Sequence, residues 1–233
     1  MTPPRASIST KRFLLELNRD LQEINQNVRN SVSFDFLHGH SKFKPGDPLS
    51  TIEIAVLTLE DRRYFSHFGF ELRAVPRLLR RYLRTGQLGG ISTIEQQVVR
   101  IVTGRYDRNV NRKIKELLLA FFINFHLGKR EILHFYLNSS YFGYGVVGCN
   151  EASQLLFSKD IAMLCIEEAA IIAACLPVPM PRLLVEELRR SGGHISPSSL
   201  FKEARHINSR WEREVNFRTQ IVLKKSHRVL NNL

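Results

Sequence analysis

Apolar residues recur along the chain at helical spacing, and this pattern predicts a mostly α fold. Between residues 110 and 127 large apolar side chains return every three or four positions, as on an amphipathic helix. Further helices are predicted over Lys129–Leu137 and Glu167–Cys175. Ser50 stands three residues before Glu53, which is typical of a helix start. The sequence contains no convincing series of strands.

Glycine and proline divide the chain of 233 residues, a length that suits one domain, or at most a domain with a short appendage. Residues 1–50 are predicted to form an N-terminal helical lead-in followed by a loop. Residues 51–185 form the predicted core. Residues 186–233 are predicted as a basic helical extension that packs on the core, after a loop over 186–197.

The chain carries 34 Lys and Arg against 22 acidic residues, a net charge of +12. Such a balance favours an anionic partner, which could be nucleic acid, anionic lipid or a phosphorylated substrate. Residues 71–84 place five arginines opposite an apolar stripe, and this face is either solvated or in contact with an anionic membrane or phosphate. No signal peptide or membrane-spanning run of about 20 apolar residues is present.

Cysteine and glycine patterns exclude several kinds of site. The three cysteines lack C-x-x-C spacing, which argues against a disulfide framework or a zinc site and predicts small buried residues. Gly143, Gly145 and Gly148 spell G-x-G-x-x-G, but a helix is predicted before them where a dinucleotide site needs a strand. Metalloprotease, Walker and nucleophile-elbow motifs are absent.

Two polar blocks contain candidate chemistry. Glu60 and Asp61 follow an apolar helix and precede arginines and His67, so a carboxylate there could accept a proton from a sugar hydroxyl, or could be an ordinary surface charge. Further along, Ser92 or Thr93 can cap a helix whose N-terminus would attract phosphate. The side-chain amides of the following block, Gln96 and Gln97, suit sugar or phosphate oxygens.

A third block places cations beside a carboxylate. Arg112, Lys115 and Glu116 fall at i, i+3 and i+4, so they share one face of a helix. The group is either an intrahelical ion pair or a diphosphate clamp with an acid inside it.

The blocks EDRRYFSHFG, ISTIEQQ, RKIKE, KREILHFYLN and SYFGYGVVGCNEASQLLFSK occur in this order, followed by EEAAIIAACLPVPMP. Together they resemble the peptidoglycan glycosyltransferase family, the transglycosylase domains of bifunctional penicillin-binding proteins and the monofunctional transglycosylases. The resemblance covers about residues 51–181. It implies a lysozyme-like helical fold and polymerisation of lipid II, an undecaprenyl-diphosphate disaccharide, with inversion and release of undecaprenyl diphosphate.

The resemblance also implies residue roles. Glu60 would deprotonate the acceptor's 4-hydroxyl, and Glu116 would sit beside the donor's diphosphate, assisting its departure or sharing a divalent ion, Mg²⁺ or Mn²⁺, with it. No other cofactor is expected. Expected substrate contacts are Asp61, His67, Ser92, Gln96, Gln97, Arg100, Arg108, Arg112, Lys113, Lys115 and Asn138.

The expected partners are lipid II, a membrane surface and other cell-wall synthesis proteins, with no nucleic acid. The expected location is peripheral to the cytoplasmic membrane, on its extracytoplasmic face if the family topology holds.

Several positions depart from the family pattern. Glu95 replaces a usual threonine, Arg100 a lysine and Ile101 an asparagine. Asn124 replaces an acid, and the usual Y-F-G-K is Leu156–Lys159.

Four alternatives stay open at this point. The chain could be a binding or scaffold protein without turnover, to which the Glu95 change would be suited. It could transfer another lipid-linked glycan. Hydrolysis would use two carboxyls across a glycosidic bond, whereas cations around Glu116 favour a diphosphate leaving group. Nucleic-acid binding is permitted by the charge, but none of the standard recognition motifs is present.

Overall fold

The computed structural model describes residues 5–37, 48–71, 80, 84, 92–107, 109–192 and 196–230, without the side chains of residues 5–9, 34–37 and 230. The predicted basic face over 71–84 therefore lies outside the described residues, apart from Glu71, Arg80 and Arg84. Both arginines are exposed. Within the described part of the chain, no helix combines the length and the apolar character needed to cross a bilayer.

The chain folds into two compact units that alternate along the sequence. The first unit comprises Met1–Ser41 and His67–Phe135, and the second comprises Lys42–Ser66 and Tyr136–Leu233. The three segments predicted from the sequence, with boundaries at residues 50 and 185, stay a prediction.

The first unit is built on a long N-terminal helix. Its helices are α1 (Arg5–Leu37), α3 (Ile94–Thr103), α4 (Val110–Phe122) and the first part of α5 (Lys129–Ser139). Leu17, Ile24 and Val28 of α1 are buried at helical spacing, together with the carboxylate of Asp20. Helix α1 packs on both α3 and α4.

The second unit surrounds an apolar helix. Its elements are α2 (Thr51–Glu60), the end of α5, β1 (Tyr141–Gly143), β2 (Val146–Val147), α6 (Cys149–Phe157), α7 (Ile166–Ala174), α8 (Arg182–Ser191), α9 (Pro197–Lys225) and α10 (His227–Leu230). Every residue of α7 from Glu168 to Ala174 is buried, and the helix packs against both α2 and α9. A helix that is apolar all round needs neighbours on more than one side, which α2 and α9 supply.

Local sequence signals account for most helix boundaries. Ser50 and Glu53 form the predicted capping box at the start of α2. The long α9 contains a kink at Asn208, whose φ of −154° is not helical. The side chain of Asn208 accepts a hydrogen bond from the Trp211 backbone N–H at 2.9 Å, so it caps the second half of α9.

Three predictions from the pattern were wrong in detail. A strand pair exists, because residues 141–147 form the antiparallel hairpin β1–β2. Gly143 and Gly145 of the glycine motif lie in this hairpin, and Gly148 is the N-cap residue of α6. The helix predicted over 110–127 ends at Phe122 and continues as a 3₁₀ turn. The loop predicted over 186–197 begins only after α8 ends at Ser191.

Gly69 and Gly104 offer a matched test of backbone packing in the first unit, since both have positive φ, +78° and +62°. A Cβ at position 69 would lie 2.1 Å from the carbonyl oxygen of Ala120, whereas nothing lies within 4 Å of one at position 104. We expect Gly104→Ala to cost about 1 kcal/mol of unfolding free energy, from strain alone. Gly69→Ala should cost roughly 2 to 4 kcal/mol, because the backbone must also move. Urea unfolding measures both, and equal costs would contradict the packing argument.

The cysteines differ in access, which corrects the prediction that all three are buried. Cys149 and Cys175 are buried, but Cys165 is exposed at the N-terminus of α7. Burial raises the pKa of Cys175 to about 12, so its reactive thiolate is scarce at neutral pH. We expect a thiol reagent to modify one cysteine rapidly in the folded protein, and none rapidly in a Cys165→Ser variant. Rapid modification of two or three thiols under native conditions would show that the burial is wrong.

Candidate functional site

A buried carboxylate surrounded by cations is the main polar feature of the first unit. Glu116, in α4, is 3% exposed. One of its oxygens, Oε2, accepts a hydrogen bond from Arg112, one turn earlier, and the other, Oε1, accepts one from Lys113 Nζ at 2.6 Å. Nε of Arg100 in α3 lies 3.8 Å from Oε2. We call Gln96, Arg100, Arg112, Lys113 and Glu116 the cation cluster.

Lys113 joins the two helices of the cluster. Its ammonium group also donates to Oε1 of Gln96 in α3 at 2.6 Å. Burial lowers the pKa of Lys113, an effect that the hydrogen bond to Glu116 opposes and that the nearby Arg100 and Arg112 reinforce. The cations of the cluster therefore repel one another, and a bound anion would reduce this repulsion.

A pocket that is open to solvent borders this cluster. Four cationic side chains and one acidic side chain line it, so the pocket has an excess of positive charge. Its lining residues are Val99, Arg100, Thr103, Arg105, Arg112, Lys115, Glu116 and Leu119. Arginine in such a setting is suited to bidentate contacts with phosphate oxygens.

Lys115 lines this pocket but does not join Glu116 in an ion pair. Its Nζ lies 2.8 Å from Oδ2 of Asp20 and 3.4 Å from Oε2 of Glu16, both on α1. The predicted shared face of α4 therefore divides in two: Arg112 contacts Glu116, and Lys115 contacts α1. Sequence reasoning missed Asp20 and Arg105, although the acids Glu16 and Asp20 stand at i and i+4 on α1, where Asp20 is buried and Glu16 is half-exposed.

The N-terminus of α3 is tied to the segment after His67. Thr93, rather than Ser92, caps the helix by accepting from the Gln96 backbone N–H. The carbonyl oxygen of Gly69 accepts hydrogen bonds from Thr93 Oγ1 at 2.8 Å and from Gln96 Nε2 at 3.0 Å. The side-chain amide of Gln96 thus donates through its nitrogen to the Gly69 carbonyl and accepts at its oxygen from Lys113.

The other predicted residues have varied surroundings. In the first unit His67 is buried, Ser92 and Gln97 are half-buried, and Arg108 lies outside the described residues. In the second unit Glu60 is the last residue of α2 and half-buried, Asp61 is buried beside it, and Asn138 is half-buried near the end of α5. The structure brings Gln96, Arg100, Arg112, Lys113 and Glu116 together, with Lys115 on the same pocket.

Comparison with known proteins places these residues in a family. The family model described as Transglycosylase matches residues 44–192. The chain belongs to the transglycosylase family. Membership confirms the predicted resemblance and the mostly α, lysozyme-like fold class.

Curated relatives of the transglycosylase family match the chain in part. Penicillin-binding protein 1F of Bacillus subtilis is 34% identical over 140 residues, which are 57% of this chain and 20% of that protein. The biosynthetic peptidoglycan transglycosylase of Xanthomonas axonopodis pv. citri is 36% identical over 141 residues, 60% of this chain and 57% of that protein. The one of Shewanella denitrificans is 37% identical, with 57% and 58% covered. The chain thus spans less than two thirds of the length of these relatives.

Within the cation cluster, the residues present do not by themselves fit a divalent metal ion. Glu116 is the cluster's one carboxylate among the described residues, and both its oxygens already accept from cations. Mg²⁺ and similar ions prefer several oxygen ligands, and the surrounding cations would repel them. A metal ion here would need most of its ligands from a bound diphosphate, so we assign it no step.

Glu95 is the departure from the transglycosylase pattern that raised doubt about activity, because it adds a negative charge. Its side chain is fully buried, and Nζ of Lys129 at the start of α5 donates to Oε1. Nδ1 of His67 lies 3.9 Å from the same oxygen. The added charge is therefore compensated within the first unit by Lys129.

This pairing predicts a strong coupling between positions 95 and 129. Lys129→Met should lower the unfolding free energy by about 3 to 5 kcal/mol, because it removes a cation from a buried carboxylate. In the Glu95→Thr variant, Lys129→Met should lower the unfolding free energy by less than about 1 kcal/mol, because no buried carboxylate then loses its cation. Denaturant unfolding of the four proteins measures the coupling. Equal costs in the two backgrounds would show that Lys129 does not compensate Glu95.

Proposed function

We propose that the chain is a peptidoglycan glycosyltransferase that polymerises lipid II into glycan strands. The observation that carries the proposal is the cation cluster beside an open, positively charged pocket, in a member of the transglycosylase family. A diphosphate leaving group needs cations to bind it and to stabilise the charge that develops as it departs. The relatives named biosynthetic peptidoglycan transglycosylase support the same reaction class.

In the proposed reaction the 4-hydroxyl oxygen of the acceptor sugar attacks the anomeric carbon of the lipid-linked donor. The new glycosidic C–O bond forms as the bond from that carbon to the diphosphate oxygen breaks, with inversion at the carbon. The hydroxyl proton goes to Glu60, the general base. The bonding electrons leave with undecaprenyl diphosphate.

The cation cluster is proposed to bind the departing diphosphate. Arg100 and Arg112 offer planar guanidinium groups for bidentate contacts, and Lys115 offers an ammonium group at the same pocket. Glu116 holds Arg112 and Lys113 in place, because both donate to its carboxylate. The pocket is thereby preorganised, and the diphosphate meets cations whose positions are fixed before it arrives.

The remaining predicted contacts belong to the same proposal. Asp61, His67, Ser92, Gln97, Arg108 and Asn138 are proposed to contact the sugars or the diphosphate. We further propose that the protein acts peripherally at the extracytoplasmic face of the cytoplasmic membrane, where its lipid-linked substrate would be polymerised, alongside other cell-wall synthesis proteins. A divalent ion that arrives with the diphosphate is compatible with this assignment.

A binding protein without turnover is the second candidate. Its support from the sequence was the extra charge of Glu95, and the ion pair with Lys129 removes most of that support. We therefore rank catalysis first.

The proposal predicts that Glu60→Gln abolishes most polymerisation of lipid II in detergent. The loss of the general base should lower kcat by about 10² to 10⁴-fold with little change in folding. The readout is the length and amount of glycan polymer, with and without Mg²⁺ or Mn²⁺.

Glu214→Gln is the matched control, because Glu214 is a half-exposed carboxylate in a surface pair with Arg210 and should leave polymerisation unchanged. Full activity of the Glu60→Gln protein would exclude Glu60 as the base. If the folded parent chain forms no polymer under any of these conditions, the glycosyltransferase proposal is refuted.

A further inference from the structure

The N-terminal helix α1 contributes a buried carboxylate to the edge of the anion pocket. Asp20 is 1% exposed. Its Oδ2 lies 2.5 Å from Nη1 of Arg105 and 2.8 Å from Nζ of Lys115, and its Oδ1 accepts from Nη2 of Arg105 at 3.4 Å. Arg105 and Lys115 also line the pocket, together with Arg100 and Arg112, whereas the exposed Arg19, 3.7 Å from Oδ1 of Asp20, does not.

From this geometry we propose that Asp20 is a positioning residue of the pocket, and that Arg105 is a further ligand for phosphate oxygens. Asp20 would act through Lys115 and Arg105 by fixing their side chains toward the diphosphate. The proposal rests on the proposed function, and it extends the diphosphate site to a helix that the sequence motifs do not include.

Donor capacity allows Lys115 and Arg105 to bind Asp20 and a ligand at once. A lysine ammonium has three N–H donors and an arginine guanidinium has five. Asp20 engages one donor of Lys115 and two of Arg105, and Glu16 engages a second donor of Lys115. The remaining donors are available to the pocket, and the Arg105 side chain is 36% exposed.

Burial makes the three groups interdependent. Burial by itself would raise the pKa of Asp20, but the hydrogen bonds from Lys115 and Arg105 lower it below its usual value. Asp20 therefore stays ionised, and a buried ionised carboxylate keeps its cations close because separation would leave it unpaired. Long cationic side chains lose much conformational freedom when a ligand immobilises them, so prior fixation favours binding.

The opposite role, in which Asp20 weakens the pocket by cancelling its charge, makes the reverse prediction. Asp20→Asn raises the local positive charge by one. If Asp20 only cancels charge, the variant binds an anion more tightly; if Asp20 positions Lys115 and Arg105, the variant binds it more weakly. The direction of the change in affinity therefore separates the two roles.

The test measures binding of inorganic pyrophosphate to the full chain by titration calorimetry, at one fixed ionic strength. We expect Asp20→Asn and Arg105→Gln each to raise the pyrophosphate Kd about tenfold, the effect of one charge-assisted contact. The double variant should be little weaker than either single variant, because Asp20 acts in part through Arg105.

Glu212→Gln is the matched control for losing a buried carboxylate from an ion pair. Glu212 is 2% exposed and pairs with Arg205 at 3.1 Å in the second unit. Its variant should lose thermal stability, as the Asp20 variant does, but should keep the parent Kd for pyrophosphate. A Kd that rises for Glu212→Gln as much as for Asp20→Asn would overturn the positioning role.

An Asp20→Asn protein that binds pyrophosphate equally or more tightly also overturns the proposal. If that variant does not fold, the pyrophosphate Kd of Arg105→Gln is the deciding measurement. A Kd equal to that of the parent chain refutes Arg105 as a phosphate ligand. Absence of pyrophosphate binding by the parent chain refutes both parts. Since this binding needs no turnover, a chain that makes no polymer from lipid II can still pass the test, and a polymerising chain can still fail it.

Discussion

Pairing of buried carboxylates with cations is the interaction on which the first unit depends. Among the residues of this unit that the structure describes, three carboxylates are almost fully buried: Asp20 on α1, Glu95 on α3 and Glu116 on α4. Each contacts at least one lysine or arginine from a different helix or a different turn. An unpaired buried charge would cost several kcal/mol, so these contacts constrain where the helices can sit. The same contacts place cations around the pocket.

The second unit is organised by a different constraint, the burial of an apolar helix. Helix α7 has little polar surface, and its neighbours α2 and α9 cover it. Ion pairs in this unit are mostly at its exposed edges, as with Arg182–Glu186 and Arg210–Glu214. Such pairs contribute little stability, because solvent screens them. Two further pairs in this unit hold a buried carboxylate, Glu168 with Lys159 and Glu212 with Arg205. The second unit therefore adds a few buried charge pairs to the apolar packing around α7.

Much of the fold could be predicted from local sequence. The capping box of Ser50 and Glu53 and the apolar run of α7 identified α2 and α7, because each signal lies within a few residues. The hairpin at Tyr141–Val147 was missed, since its strands are too short to show alternation. Helix α8 was missed because Gly192 and Gly193 suggested a loop that begins too early. The periodicity in α4 continued past Phe122, where the backbone tightens into a 3₁₀ turn.

The candidate site was predictable where its residues are close in sequence. Arg112 and Glu116 are one helical turn apart, so their ion pair follows from spacing alone. Spacing also placed Lys115 near Glu116, but a tertiary partner, Asp20, competes successfully for it. Arg105 and Asp20 are 85 positions apart, and no local pattern relates them. The compensation of Glu95 by Lys129 spans 34 positions and was missed for the same reason.

These charge pairs also bear on how a diphosphate would be bound. The pocket lining has four cations against Glu116 alone, and Asp20 approaches two of those cations from α1. The carboxylates lower the repulsion among the cations enough for the unit to fold, yet they leave the pocket with excess positive charge. Because Lys113 is held by Glu116 and Gln96 together, it need not move when an anion enters. The carboxylates neutralise part of the positive charge of the pocket, but they also fix the positions of its cations. Charges that are fixed before the reaction stabilise a departing diphosphate most effectively.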